Sequence, residues 1–211
     1  MAQHSMSSHR KTLGGIMSYK RTEYQDHTNL DISRLIAAYS DLVMKWVNQG
    51  WKPYLVTFMF RQLCPMSRMA EMTNELERVY SSLVKRVTRR PHRKHQSHLR
   101  PILIAVPYFP RRGRLQHVTD LSTNDGIHAH GILLMPPRSR IKEDLMQHFA
   151  KNQHIYIRDR LLRLDIKPIE TNIPHVVKYV FKSLAYRKLT FDDVIIFPKE
   201  TGVPFDEVIC Q

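Results

Sequence analysis

The chain has 211 residues, an apolar fraction of 42%, and 33 Lys+Arg against 19 Asp+Glu, a formal net charge of +14. This is enough apolar material for one cored domain with extensions or at most two small ones, not a disordered chain, and the charge favours a polyanionic partner. Cys64 and Cys210 are too few for a disulfide framework or a cysteine-based zinc site; without a long apolar run or a signal-like N-terminus, we expect a cytoplasmic protein with no membrane partner.

Residues 1 to about 28 are polar and lack periodicity, and read as a mobile basic arm. From Asp31, apolar residues recur every three or four positions through Val47 and end at Gly50, which predicts an amphipathic helix. Tyr54 to Phe60 is a β-branched and aromatic run that suits a central strand. Ser67 to about Arg89 has Met72, Leu76, Val79 and Leu83 on one helical side, and Arg90-Pro91 stops it. Strands are predicted at Ile102 to Val106 and, more briefly, at Leu115 to Thr119, followed by a turn-rich hairpin loop over 121–126.

The next strand carries His128-Ala129-His130 and then an apolar run ended by Pro136-Pro137. Strand alternation turns both histidines to one face, about 7 Å apart along the chain. Two imidazoles so placed can share a divalent metal if a third ligand arrives from a neighbouring element. With 12 histidines in the chain, a His-x-His pair is expected by chance roughly 0.7 times, so the motif takes its weight from elsewhere. A helix over about 139–152 and a half-exposed strand over 162–168 follow.

The order predicts an α+β fold: a ferredoxin-like or RRM-like antiparallel sheet of about five strands with packing helices, plus an N-terminal helical extension. We divide the chain into 1–50, the arm and amphipathic helix; 51–190, the main domain; and 191–211, a C-terminal extension. It contains no Gly-x-x-x-x-Gly-Lys-Ser/Thr loop, hence no phosphate-binding loop of an ATP-driven motor.

Between Arg78 and Thr119 there is no Asp or Glu, yet eleven Lys or Arg occur. Such a one-sided block suits a phosphate-backbone track, with Arg86, Arg89, Arg90, Arg93, Lys94, Arg111, Arg112 and Arg114 as its candidate DNA contacts. Tyr108 and Phe109 are either stacking platforms for unpaired bases or core aromatics at a strand end.

Thr171-Asn172-Ile173-Pro174 is a helix start, and the pattern over 175–188 predicts one continuous helix. Val177, Val180, Phe181 and Leu184 fall on one side; His175, Tyr179, Lys182 and Tyr186 fall on the other, within an arc of about 60°. A tyrosine hydroxyl can attack phosphorus once activated. A lysine one turn away favours the phenolate and neutralises phosphate oxygens, and a metal on the histidine pair would polarise the phosphate. These parts together describe DNA cleavage through a phosphotyrosine link.

His128-Ala129-His130 followed by Tyr179-Val180-Phe181-Lys182 resembles the HUH and Tyr-x-x-Lys motifs of the Rep-type HUH endonucleases, in the order those enzymes carry them. The similarity spans roughly residues 54 to 189. It implies nicking and joining of single-stranded or hairpin origin DNA with Mg2+ or Mn2+, through a covalent 5′-phosphotyrosine and a released 3′-hydroxyl. It implies further the initiation of rolling-circle replication of a virus, phage or plasmid, with a host helicase supplied in trans, in a bacterial cytoplasm. The resemblance makes Tyr179 the nucleophile, Lys182 its partner, and His128 and His130 metal ligands. Many such proteins supply a third ligand, often Glu, just before the histidines, and this chain has none there. A regular hairpin over 121–126 would set His117 opposite His130 and Asp120 near His128, and Asp125 is the choice if the loop folds differently. Tyr186 is a second nucleophile, a base-stacking residue or a buried phenol. The rival functions are a single-strand transposase of the same superfamily and a non-catalytic nucleic-acid-binding module on a ferredoxin-like fold.

Overall fold

The computed structural model describes residues 31–91, 93–109, 126–185 and 189–199. Helix α1 covers 31–48. It is followed by strand β1 (Lys52–Phe60), helix α2 (Arg68–Val87), a 3-10 turn (Lys94–Leu99), strand β2 (Ile102–Tyr108) and strand β3 (His128–Met135). Helices α3 (Leu145–Lys151) and α4 (Gln153–Tyr156), strand β4 (Leu161–Pro168), helices α5 (Ile173–Val180) and α6 (Lys182–Ala185), a further 3-10 turn (Phe191–Asp193) and strand β5 (Ile195–Phe197) follow among the described residues.

The strands form one five-stranded sheet in the order β4-β1-β3-β2-β5, antiparallel throughout. The first four make the ferredoxin-like split βαβ arrangement, so the fold class expected from the sequence is the one observed. β3 and β2 occupy central positions and are buried along nearly their whole length, as their uninterrupted apolar runs require. Each sheet face has its own core. Tyr54, Val56, Phe58 and Phe60 from β1 meet Met72, Leu76, Val79 and Leu83 of α2 on one face, with Phe149 and Tyr156 beside them. On the other face Ile104, Val106, Ile132 and Leu134 meet Tyr39 and Val43 of α1, Val177 and Val180 of α5, Leu184 of α6, and Phe181 between those two helices. The four apolar positions picked out on the 175–188 segment are all essentially inaccessible.

α1 packs as a layer of the fold, as its apolar stripe requires: Val43 is fully buried and the Tyr39 ring lies 4.6 Å from that of Phe181. At the other end, β5 pairs with β2, and Phe197 stacks on Tyr80 at 5.1 Å. The packed unit thus takes in residues on both sides of 51–190, because the second sheet face and the β2 edge both need cover. The helix expected over 139–152 begins only at Leu145, where the Asp144 carboxylate accepts the amides of Met146 and Gln147. The segment 175–188 is not one helix: it breaks at Phe181, whose side chain is completely buried, and restarts at Lys182. The strand expected at 115–119 and the 121–125 loop lie outside the described residues. Among the described residues, no helix is long and apolar enough to cross a membrane.

Candidate nicking site

Register decides what surrounds the histidine pair. In β3, His128 lies opposite Met59 of β1 and Tyr108 of β2, and His130 lies opposite Thr57 and Val106. Both share the face of Ile132 and Leu134, the face covered by α1, α5 and α6. α5 is capped by Asn172, whose side chain accepts the His175 amide, and its buried residues hold it on the sheet so that Tyr179 reaches the histidines.

Four side chains converge. The Nε2 atoms of His128 and His130 are 3.0 Å apart, and Tyr179 Oη is 3.1 Å from His130 Nε2. Lys182 Nζ lies 4.2 Å from the Tyr179 ring centroid and 4.7 Å from that of Tyr108, so the ammonium faces two phenol rings. The Tyr108 ring packs at 4.5 Å on His128. The site opens to solvent through Tyr179, which is 39% exposed, while His130 is only 6% exposed.

Second contacts fix the rings. The Gly126 carbonyl can only accept, so His128 Nδ1, 2.8 Å away, donates to it, and the neutral ring keeps its lone pair on Nε2. His130 Nδ1 is 3.2 Å from Thr57 Oγ1, a hydroxyl able to donate or accept. If His130 carries its proton on Nδ1, its Nε2 accepts from Tyr179, and two lone pairs then face each other across 3.0 Å. If the proton is on Nε2, His130 donates to His128. Burial pushes His130 down to about 3, with the His128 and Lys182 charges acting in the same sense. Burial also lowers His128, opposed by the Gly126 hydrogen bond and aided by Lys182. Both rings are therefore neutral at pH 7, the state a metal ligand needs.

The donor set fits a divalent cation. Two cis ligands of an octahedral ion at about 2.1 Å lie about 3.0 Å apart, the separation of the two Nε2 atoms. Imidazole nitrogens suit Mn2+ better than Mg2+, which prefers oxygen. Among the described residues no third His, Cys, Asp or Glu joins the pair. The third-ligand candidates His117, Asp120 and Asp125 lie outside the described residues, as do Tyr186, Arg111, Arg112 and Arg114.

The remaining candidate DNA contacts are not at this site. α2 starts near Phe109, over whose ring the Arg68 guanidinium sits at 5.3 Å. Its 20 residues carry the chain roughly 30 Å to the other end of the sheet before Arg89, Arg90, Arg93 and Lys94 are reached. Arg86 turns inward, donating to the Ser82 carbonyl at 2.9 Å and lying 5.7 Å from the Tyr156 ring. Sequence reasoning missed Thr57 and Gly126 altogether. Thr57 did leave a signal, as the one aliphatic hydroxyl in the apolar run of β1.

Compared with family models, curated proteins and solved structures, the chain matches none.

Proposed function

We propose that the chain is a metal-dependent single-stranded DNA nicking and joining endonuclease that works through a covalent 5′-phosphotyrosine, as Rep-type HUH enzymes do, and initiates rolling-circle replication of a virus, phage or plasmid. The observation that carries this reading is the 3.1 Å approach of Tyr179 Oη to His130 Nε2, with His128 Nε2 3.0 Å beyond. A core tyrosine has no reason to stand partly exposed against two neutral imidazoles with an ammonium beside its ring.

In this mechanism His128 and His130 would hold Mn2+ or Mg2+, which would supply polarisation of a non-bridging phosphate oxygen. Tyr179 Oη forms a bond to phosphorus and the bond from phosphorus to the 3′ oxygen breaks. The phenol proton is released to solvent, and the leaving 3′ oxygen takes one up from it, giving a free 3′-hydroxyl. Lys182, whose ammonium lies 4.2 Å from the Tyr179 ring centroid, offsets charge that develops on the phosphoryl oxygens. Thr57 and the Gly126 carbonyl orient the two imidazoles. Joining is the reverse attack by a 3′-hydroxyl on the phosphotyrosine. The natural substrate is a single-stranded or hairpin origin, with strand separation by a host helicase in trans.

The test is to incubate the protein with a panel of labelled hairpin oligonucleotides and Mn2+ and to look for an adduct that survives denaturation. An adduct from the native chain that is absent from Tyr179→Phe supports the reading. No adduct across the panel overturns it in favour of a non-catalytic binding module.

A further inference from the structure

The acid-free stretch divides in space, and half of it acquires new neighbours. α2 ends at Val87, whose carbonyl accepts the Arg140 amide at 3.0 Å. That bond seats the connection after β3, residues 136–142, against the described part of the connection after α2, residues 88–91 and 93. Arg89, Arg90 and Arg93 from one, and Arg138, Arg140 and Lys142 from the other, are all exposed. Neither connection contains an acid. Among the described residues none of these six cations forms an ion pair. The first acid beyond them, Glu143, is engaged by Lys151 and His148. The cluster lies at the Met135 end of β3 and the histidine site near its His128 end. Seven residue steps of about 3.4 Å separate those ends by roughly 24 Å.

We propose that this pole is a second nucleic-acid surface, which grips the phosphate backbone of a DNA duplex. Six unpaired cations on two adjoining connections repel one another, and a polyanion relieves that repulsion while releasing its own counterions. The surface has no large aromatic platform for unpaired bases: no Phe, Tyr or Trp occurs in 88–93 or 136–142, whereas the histidine end has Tyr108 and Tyr179. Single-strand binding leans on aromatic stacking, while a duplex, its bases already paired, can be held through phosphates alone. The inference stands apart from the nicking chemistry, since it uses none of the site residues.

The test is fluorescence anisotropy of a short labelled duplex of arbitrary sequence with the full chain over a range of salt concentrations. The double variant Arg89→Gln/Arg140→Gln is compared with Arg34→Gln/Arg158→Gln, which removes the same charge from exposed positions elsewhere. In the first, the slope of log affinity against log salt falls by about 2, and binding of an oligothymidylate changes less than binding of the duplex. In the second, the duplex slope stays near that of the native chain. Equal losses in the two double variants, no duplex binding by the native chain, or polyglutamate bound as tightly as the duplex would each overturn the proposal.

Discussion

Tyr179 and His130 stand 49 positions apart in sequence, yet the phenol oxygen of one lies 3.1 Å from Nε2 of the other. If that oxygen is the nucleophile, Tyr179→Phe leaves fold and metal binding intact and removes the covalent adduct. Tyr186→Phe retains it. Lys182→Met, which takes away the ammonium 4.2 Å from the Tyr179 ring, slows adduct formation by about 100-fold. Single-turnover gels with labelled hairpin DNA separate the three.

Thr57 acts on the site through His130. Thr57→Val keeps the β-branched shape but removes the hydroxyl 3.2 Å from Nδ1. Mn2+ affinity, read by calorimetry, is expected to fall by about 10- to 100-fold, the usual cost of losing a ligand's outer hydrogen bond. An unchanged affinity would show that the imidazole is oriented by packing alone.

Tyr108 is placed by ring contact, with His128 at 4.5 Å and Lys182 Nζ at 4.7 Å from its centroid. Tyr108→Phe preserves both contacts and should keep native rates. Tyr108→Ala frees the ammonium and lowers the adduct rate roughly tenfold, the scale of a partly desolvated cation-π contact. Matching rates for Phe and Ala would leave Tyr108 no part in positioning Lys182.

Acid should loosen the metal-free protein through His130. Its folded-state value is near 3, and an unfolded histidine titrates near 6.5. Below pH 6.5 the unfolded chain therefore binds a proton that the folded chain refuses. Stability is full above that pH and declines as pH falls through the window down to about 3. His128, also lowered, adds in the same direction. Denaturant midpoints measured across this range should drop more steeply in the native chain than in His130→Gln, and parallel curves would contradict the assignment.

Gly131 lies between the two histidine-bearing turns of the pleat and the apolar half of β3, and its bare Cα lets β2 approach. A Cβ there would sit 3.1 Å from the Ile104 carbonyl oxygen, 3.1 Å from Leu103 Cδ1 and 3.3 Å from Ala105 Cβ. Gly131→Ala should destabilise the fold by about 1–3 kcal/mol, as overpacking does, with metal affinity reduced because His130 moves with the strand. Equilibrium unfolding measures the first effect and Mn2+ titration the second.

How much of this was legible beforehand follows from the range of the forces involved. The two faces of the 173–185 segment could be read from spacing, and Val177, Val180, Phe181 and Leu184 are buried as that spacing requires. The break at Phe181 could not, since Phe181 packs on Tyr39, a residue more than a hundred positions away in sequence. β5 escaped notice because three residues, Ile195 to Phe197, are too short to show a period. The basic block looked like one track because sequence proximity hides direction: α2 carries Arg89 and Arg90 away from the end of the sheet where Tyr108 lies.

By itself, then, the sequence determined the longer elements, the alternation that turns His128 and His130 to one face, and the helix side that carries Tyr179. These are properties of a chain's own local geometry, set by side-chain periods of two and 3.6. Only the tertiary structure decided that β3 would pair between β1 and β2, bringing Thr57 and Tyr108 to the histidines, and that Arg140 would meet Val87 at the opposite pole. Register and pairing depend on burying both sheet faces at once, a condition that no single segment can express.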